Sequence, residues 1–367
     1  MAVAHEGSSP GAHGKKFRQF VYGTHSMTSP TITPNLLYLN RNDLIVLGGD
    51  HSQPYVDAIV DGLAAHARGE YVQPLKPYLR WPSADHIADR IIAMPCYLGG
   101  ERPIAGVKWV GSRQHNPSLF GLERASAVVV LNDAETNYPI ALMEGGLLSG
   151  MRTAAITAVA TRYLARADFT DVAGIGCGPI ARMQVQTLLE QFPSIERLHL
   201  FDLSHAAADA FITEFAARFP NKEFVLASSA EAAVRAADVI VTCTVADAPY
   251  LHFGWLKRGA FVSNVSIMDV CKEVYEKADK VVVDDWDQSN REKKIINQLV
   301  LEGRFSRERL HAELGQIVVG GRPGRESEEE IILLNPMGMA LDDIVCARHF
   351  YHLARERGVG VQLPLYG

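Results

Sequence analysis

At 367 residues, with 47% hydrophobic and 21% charged residues, the chain has the composition of a globular protein large enough for two domains. A formal net charge of −6 and the lack of a basic block argue against nucleic acid as a partner, and no run reaches the roughly 20 apolar residues of a membrane span. The cysteines Cys96, Cys177, Cys243, Cys271 and Cys346 are odd in number and without a C-x-x-C pair, so they read as reduced thiols of a cytoplasmic protein.

Residues 1–34 are rich in Gly, Ser, His, Pro and Thr, lack the apolar segment of a signal peptide, and read as a disordered leader. A short strand follows at Leu36–Leu39, then a helix from about Ser52 to Arg68, whose Tyr55, Val56, Ile59, Val60, Leu63 and Ala64 recur at helical spacing. From Val72 to Asn132 the pattern predicts a mostly antiparallel sheet, with strands over 73–80, 90–95, 104–110 and 127–131 separated by Pro and Gly. Lys76, Arg90 and Lys108 interrupt apolar stretches of these strands. A buried cation must find a carboxylate in the protein or in a ligand, and Lys108, flanked by Gly106-Val107 and Trp109-Val110, is the clearest case.

The segment Leu142–Ala155 is expected to lead into a helix through about Ala165 and to cross to a second domain, with Arg152 and Thr153 at the helix start. Arg152 suits a carboxylate, and Thr153 suits a helix cap or a phosphate; a plain helix start with a surface Arg is the alternative.

Asp171–Ala181 then reads as a buried strand, a glycine turn and the start of a helix. Gly176-x-Gly178-x-x-Ala181, with Pro179 and Ile180 opening the helix, fits the turn that cradles a dinucleotide pyrophosphate. Asp202 ends the next strand, where a carboxylate accepts from ribose hydroxyls and repels a 2′-phosphate, so NAD is favoured over NADP; a helix cap near Ser204 is the alternative role. Further strands and helices alternate to about 285, which predicts a doubly wound parallel sheet with ligand at the carboxyl ends of its strands. Those ends carry Thr242-Cys243-Thr244 and Asn264-Val265-Ser266-Ile267-Met268-Asp269; Thr242, Thr244, Val265 and Ser266 are expected to face the nicotinamide. Asp269 is the candidate base, or else a helix cap. Asp284, Asp285 and Asp287 read as strand-end and cap residues, without a metal site, and Met337–Arg357 opens and forms a last helix that returns to the first domain.

The predicted class is therefore α/β: a doubly wound Rossmann domain over 151–336, plus a smaller α+β substrate domain over 35–150 and 337–367.

Several motifs occur together: Gln73-Pro74-x-Lys76, Ala93-Met94-Pro95, Gly106-Val107-Lys108-Trp109, Met151-Arg152-Thr153-Ala154-Ala155, the glycine turn, Asp269 and Gly338-x-Ala340-x-x-Asp343. In order and content they resemble the ornithine cyclodeaminase and mu-crystallin family. Ala88–Pro95, Leu131–Ala141, Val282–Trp286, Asn290–Lys294 and Leu333–Ala340 resemble its branch that makes 2,3-diaminopropionate for siderophores.

The resemblance implies a homodimer that uses NAD+ to oxidise a small amino-acid-derived substrate with several carboxylates. It implies Lys76, Arg90, Lys108 and Arg152 as substrate-binding residues, Lys108 and Asp269 as catalytic, and Thr153, the glycine turn and Asp202 around the cofactor. Ornithine cyclodeaminases proper resemble one another in a Glu two residues before Met-Pro, where this chain has Ile92, which points away from ring closure on a diamine. The family commonly has Arg at the Lys76 position, so a fork is replaced by a point charge. Cyclodeamination, alanine-type oxidation and a non-catalytic nicotinamide-binding protein remain the alternatives on this scaffold.

Overall fold

The computed structural model describes residues 34–366 other than 83, 85, 87, 88, 267, 292 and 293. The leader expected over 1–34 lies outside the described residues except for Pro34. Two eight-stranded sheets organise the rest.

The first sheet contains β1 (Asn35–Leu39), β2 (Tyr71–Val72), β3 (Tyr78–Leu79), β4 (Arg90–Leu98), β5 (Ile104–Ser112), β6 (Ala125–Asp133) and β7 (Pro139–Glu144). The second contains β8 (Asp171–Ile175), β9 (Arg197–Phe201), β10 (Glu223–Leu226), β11 (Val239–Thr242), β12 (Phe261–Asn264), β13 (Lys280–Val283), β14 (Ala312–Glu313) and β15 (Ile332–Asn335). The terminal β16 (Val361–Pro364) returns to the first sheet, whose order is β16-β1-β7-β6-β5-β4-β2, with β3 also on β4. All its pairings are antiparallel except β1 with β7. Alternation along β5 and β6 buries Ile104, Lys108, Val129 and Leu131, while Trp109 and Val128 face outward. Helix Ala340–Arg357 packs on β4, β5, β6 and on helix Gln53–Arg68.

The second sheet is parallel throughout, in the order β10-β9-β8-β11-β12-β15-β13-β14. Strands buried on both faces read as near-continuous apolar runs, and β8, β11, β12, β13 and β15 are buried at every position. No helix of the described residues is long and apolar enough to cross a membrane.

Two local expectations are corrected. The strand expected over 73–80 survives only as β3, because Pro74 and Pro77 cannot donate to a ladder; between them Leu75 is exposed and Lys76 is buried. The Gln73 side chain there donates to Asp285 and accepts from Leu341 N–H, at 3.3 and 3.2 Å. The helix expected to start at Arg152 begins at Gly146, directly after β7. The Glu144 carboxylate accepts from Gly146 and Leu147 N–H at 2.6 and 3.0 Å and so fixes that start. Arg152 and Thr153 therefore sit well inside the helix.

Candidate active site

The glycine turn between β8 and helix Pro179–Gln191 lines a cleft of about 1290 Å³ at the carboxyl edge of the parallel sheet. Gly176 has φ +94°, and a Cβ there would lie 2.9 Å from the Cys243 carbonyl oxygen, so only glycine fits. At Gly178 a Cβ would meet nothing within 4 Å: it would project into open space beside a helix end that no side chain caps. Pro179 at the first helical position gives up no useful donor, and Ala181 is buried at the helix–strand contact.

Asp202 accepts from Cys177 N–H at 2.7 Å and from Ser204 N–H at 2.8 Å. It thus fastens the turn while Ser204 is the residue that caps helix His205–Arg218. A carboxylate has about four acceptor positions, so each oxygen keeps capacity for a hydroxyl. Gly176, Gly178, Pro179, Ile180, Asp202 and Thr244 all line this cleft.

Thr153, Thr242, Val265 and Ser266 do not line it. Thr153 Oγ1 donates to the Ser149 carbonyl at 2.8 Å within its own helix. Thr242 is fully buried and donates to Asn264 Oδ1 at 2.8 Å, and Ser266 donates to the same oxygen at 3.1 Å. Asn264 in turn donates to Tyr275 and Asn335 at 3.1 and 2.8 Å. These side chains knit β11, β12 and β15 beneath the cleft.

Asp269 is fully buried and is neither a free base nor a helix cap. Its Oδ2 accepts from Thr244 N–H at 3.2 Å and Tyr250 hydroxyl at 3.0 Å, and its Oδ1 accepts from Thr244 Oγ1 at 2.5 Å. It anchors the loop after β11, which forms one wall of the cleft, and keeps one acceptor position in reserve.

Lys76, Lys108 and Arg152 gather at the amino end of helix Ala340–Arg357. Lys108 Nζ lies 2.7 Å from Asp343 Oδ2 and donates to Ser149 Oγ at 2.9 Å. Arg152 Nε donates to Asp343 Oδ1 at 2.9 Å, and one terminal nitrogen reaches Asp342 Oδ2 at 3.4 Å. One carboxylate therefore bridges two buried cations that the sequence offered as ligands for substrate. Lys76 Nζ instead donates to the carbonyls of Met337 and Gly338 at 2.9 and 2.6 Å. Asp284 holds the same loop from behind, accepting from Met337 and Gly338 N–H.

Burial, aided by the neighbouring Arg152 and opposed by Asp284 and Asp343 at Lys76 and by Asp343 at Lys108, holds both lysines down at about 8. Burial also raises Asp342 to about 7 against the pull of Arg152. The folded protein thus binds more protons at Asp342 than the unfolded chain between about pH 4 and pH 7, so this group removes stability as pH rises through that window. Asp342→Asn should gain on the unsubstituted protein between pH 5 and pH 8 when both are unfolded in urea; a pH-independent difference would refute the shift.

Arg90 lies at the start of β4, stacked on Tyr78 with its guanidinium carbon 5.1 Å from the ring centroid. Sequence reasoning did not single out Asp342, Ser149, Tyr78, Tyr250, Arg291 or Lys294. The signal for the last two was present as cations in Asn290–Lys294, a stretch already noted for its likeness.

Known proteins resemble this chain along most of its length. A model described as the ornithine cyclodeaminase/mu-crystallin family matches residues 48–358. The N-((2S)-2-amino-2-carboxyethyl)-L-glutamate dehydrogenase of Staphylococcus aureus is 56% identical over 332 residues, covering 90% of this chain and 99% of the relative. Thermococcus litoralis Delta(1)-pyrroline-2-carboxylate reductase, in complex with NADH and L-proline, superposes with a TM-score of 0.83 at 30% identity, over 89% of this chain and 100% of that one. An archaeal alanine dehydrogenase dimer with bound NAD gives 0.80 at 30% identity, over 90% and 100% of the two chains.

Proposed function

The chain belongs to the ornithine cyclodeaminase/mu-crystallin family, and we propose that it oxidises N-(2-amino-2-carboxyethyl)-L-glutamate with NAD+ and hydrolyses the product. The 56% identity to the staphylococcal dehydrogenase along nearly its full length carries this reading. The products are L-2,3-diaminopropionate, 2-oxoglutarate and NADH, a reaction suited to siderophore biosynthesis in the cytoplasm.

The cofactor is NAD. The open space at Gly178 and the uncapped helix end suit its pyrophosphate, and the spare lone pairs of Asp202 suit the adenosine ribose while disfavouring a 2′-phosphate. Bound NAD+ supplies the acceptor for hydride from the glutamyl α-carbon.

Loss of that hydride and of the amine proton turns the secondary amine into a ketimine. Water adds to its carbon, and collapse of the adduct expels the amine of diaminopropionate and leaves the ketone of 2-oxoglutarate. Lys76 is the observation within the site that favours a carboxylate ligand. Its buried ammonium donates to two carbonyls, has a further proton to give, and has no carboxylate at ion-pair distance among the described residues. Arg152 and Lys108, held by Asp343, set the positive field for the carboxylate beside the reacting carbon. Lys108, at about 8, exchanges a proton near neutral pH, and Asp269 keeps the wall formed by Thr244 and Tyr250 in place beside the nicotinamide. The homodimer is part of the same proposal.

Purified protein with excess NAD+ and the synthetic conjugate should yield NADH, 2-oxoglutarate and diaminopropionate in equal amounts, followed by absorbance at about 340 nm and by amino-acid analysis. Ornithine, lysine, alanine and glutamate are each assayed alongside as sole substrate. Proline or pipecolate formed without net NADH would make it a cyclodeaminase instead.

A further inference from the structure

The connection between β5 and β6 reaches the cofactor cleft and contributes Leu122, Glu123 and Arg124 to its lining. Among the described residues of that lining, Arg124 is the one cation; the other charged groups are the carboxylates Glu123, Asp202, Glu231 and Asp247. Each carboxylate is engaged elsewhere. Glu123 pairs with Arg41 at 3.3 Å and Glu231 with Arg235 at 2.8 Å, Asp247 lies 3.4 Å from His86, and Asp202 accepts from Cys177 N–H in the glycine turn.

Arg124 is half-buried, yet among the described residues its guanidinium meets no hydrogen-bond acceptor and no carboxylate at ion-pair distance. Burial lowers its pKa and no neighbouring anion opposes this, but a guanidinium keeps its charge and its five N–H donors. The backbone that carries it is pinned. Arg113 N–H donates to the Arg124 carbonyl at 2.9 Å, and Asn116 Nδ2 donates to the Glu123 carbonyl at 3.3 Å. An arginine kept only for solubility gains nothing from being drawn half out of water, and Met would cover the same surface at lower cost.

A dinucleotide brings a negative charge on each phosphate into this cleft. The end of helix Pro179–Gln191 offers about half an elementary charge against them, and the carboxylates of the lining work the other way. A full positive charge is missing from the balance unless Arg124 supplies it.

We infer that Arg124 binds the pyrophosphate of the nicotinamide cofactor and holds it against the glycine turn. Paired N–H groups along one edge of a guanidinium match two phosphate oxygens, which a lysine ammonium does not do. Cofactor binding therefore draws on both sheets: backbone N–H groups at the carboxyl edge of the parallel sheet, and a side chain at the foot of β6, whose neighbour β5 carries Lys108. The inference rests on the proposal that the glycine turn receives the pyrophosphate.

The test compares NADH, ADP-ribose and adenosine as ligands of the purified protein. Calorimetry reads the first two, and displacement of NADH fluorescence reads adenosine. Arg124→Met should weaken NADH and ADP-ribose alike, by about 10-fold or more, and leave adenosine unchanged. Arg124→Lys should recover part of the loss. Added salt should weaken ADP-ribose binding to the unsubstituted protein more steeply than to Arg124→Met, a difference that a merely structural role would not produce. The unfolding midpoint without cofactor identifies folded variants, and Arg124→Lys carries the test if Arg124→Met does not fold.

A loss confined to NADH would place the guanidinium at the nicotinamide end, and a loss shared by adenosine would place it at the adenosine end. Either result overturns the assignment, as does unchanged binding of ADP-ribose. Gly178→Val, which fills the open space beside the helix end, separates this from the placement of the cofactor. If it weakens ADP-ribose and Arg124→Met does not, the glycine turn keeps its role and Arg124 loses its own; if neither variant does, both fall.

Discussion

Asp343→Asn is expected to lower folding stability by about 3–5 kcal/mol, the range found when one partner of a buried ion pair is removed. Asp343 is fully buried and its two oxygens serve different cations, Lys108 at 2.7 Å and Arg152 at 2.9 Å. An amide there keeps the shape and takes away the full charge that both share. Arg152 cannot lose its proton to escape, but Lys108 can. In the variant the Lys108 pKa falls below its present value of about 8, so over the alkaline range the unfolded chain binds more protons than the folded one. Stability then rises with pH from the lowered pKa of the variant upward, whereas in the unsubstituted protein the same rise starts only near pH 8, so the deficit should shrink as pH is raised towards 8 and stay level above it in urea unfolding. Adding Lys108→Met to the variant should recover part of the loss, because it removes the stranded charge. A deficit under about 1 kcal/mol, independent of pH, would mean that the bridge is a weak contact of the surface kind.

The parallel sheet and its ligand edge were legible because their signals are local: apolar strands, a glycine turn and an aspartate at fixed spacing. The cations were legible for a related reason, since charge within an apolar strand must be answered somewhere. Where it is answered could not be read. Lys108 and Asp343 are far apart in the chain, and their meeting depends on helix Ala340–Arg357 packing across β5, a tertiary fact without periodicity of its own. The same limit explains Thr242 and Ser266. They stand at strand ends, where polar residues commonly face a ligand, yet here Asn264 draws them inward into a network that joins three strands. Asp269 was singled out as a candidate base, but its three donors come from Thr244 and Tyr250 on a loop whose path the sequence does not specify. The late start assigned to helix Gly146–Leu164 has a simpler cause. Gly145-Gly146 reads as a linker, and only the reach of the Glu144 carboxylate over the next two N–H groups turns it into a helix start.

Gly338→Ala joins these threads, because the loop between β15 and helix Ala340–Arg357 serves Lys76, Asp284 and Arg152 at once. Its carbonyls at Met337 and Gly338 hold the Lys76 ammonium, and the corresponding N–H groups are fixed by Asp284. Gly338 itself has φ +72°, and a Cβ there would stand 2.7 Å from a terminal nitrogen of Arg152 and 3.2 Å from its guanidinium carbon. Two costs therefore coincide. The left-handed backbone strains any residue with a Cβ by about 1 kcal/mol or more, and the guanidinium must slide along the face it now rests on. Asp342 and Asp343 grip Arg152 from the far side, so it cannot retreat without stretching both contacts. A displacement of about 1 Å in a group that orients substrate, the role proposed for Arg152, costs on the order of 100-fold in rate, and kcat/KM for the proposed conjugate should fall by at least that much. The cofactor cleft has none of these residues in its lining, so NADH affinity should stay within about 3-fold of the unsubstituted protein, a difference below 1 kcal/mol. Lost rate with retained NADH binding locates the damage at Arg152 and Lys76; loss of both together would show that the loop supports the nucleotide cleft as well.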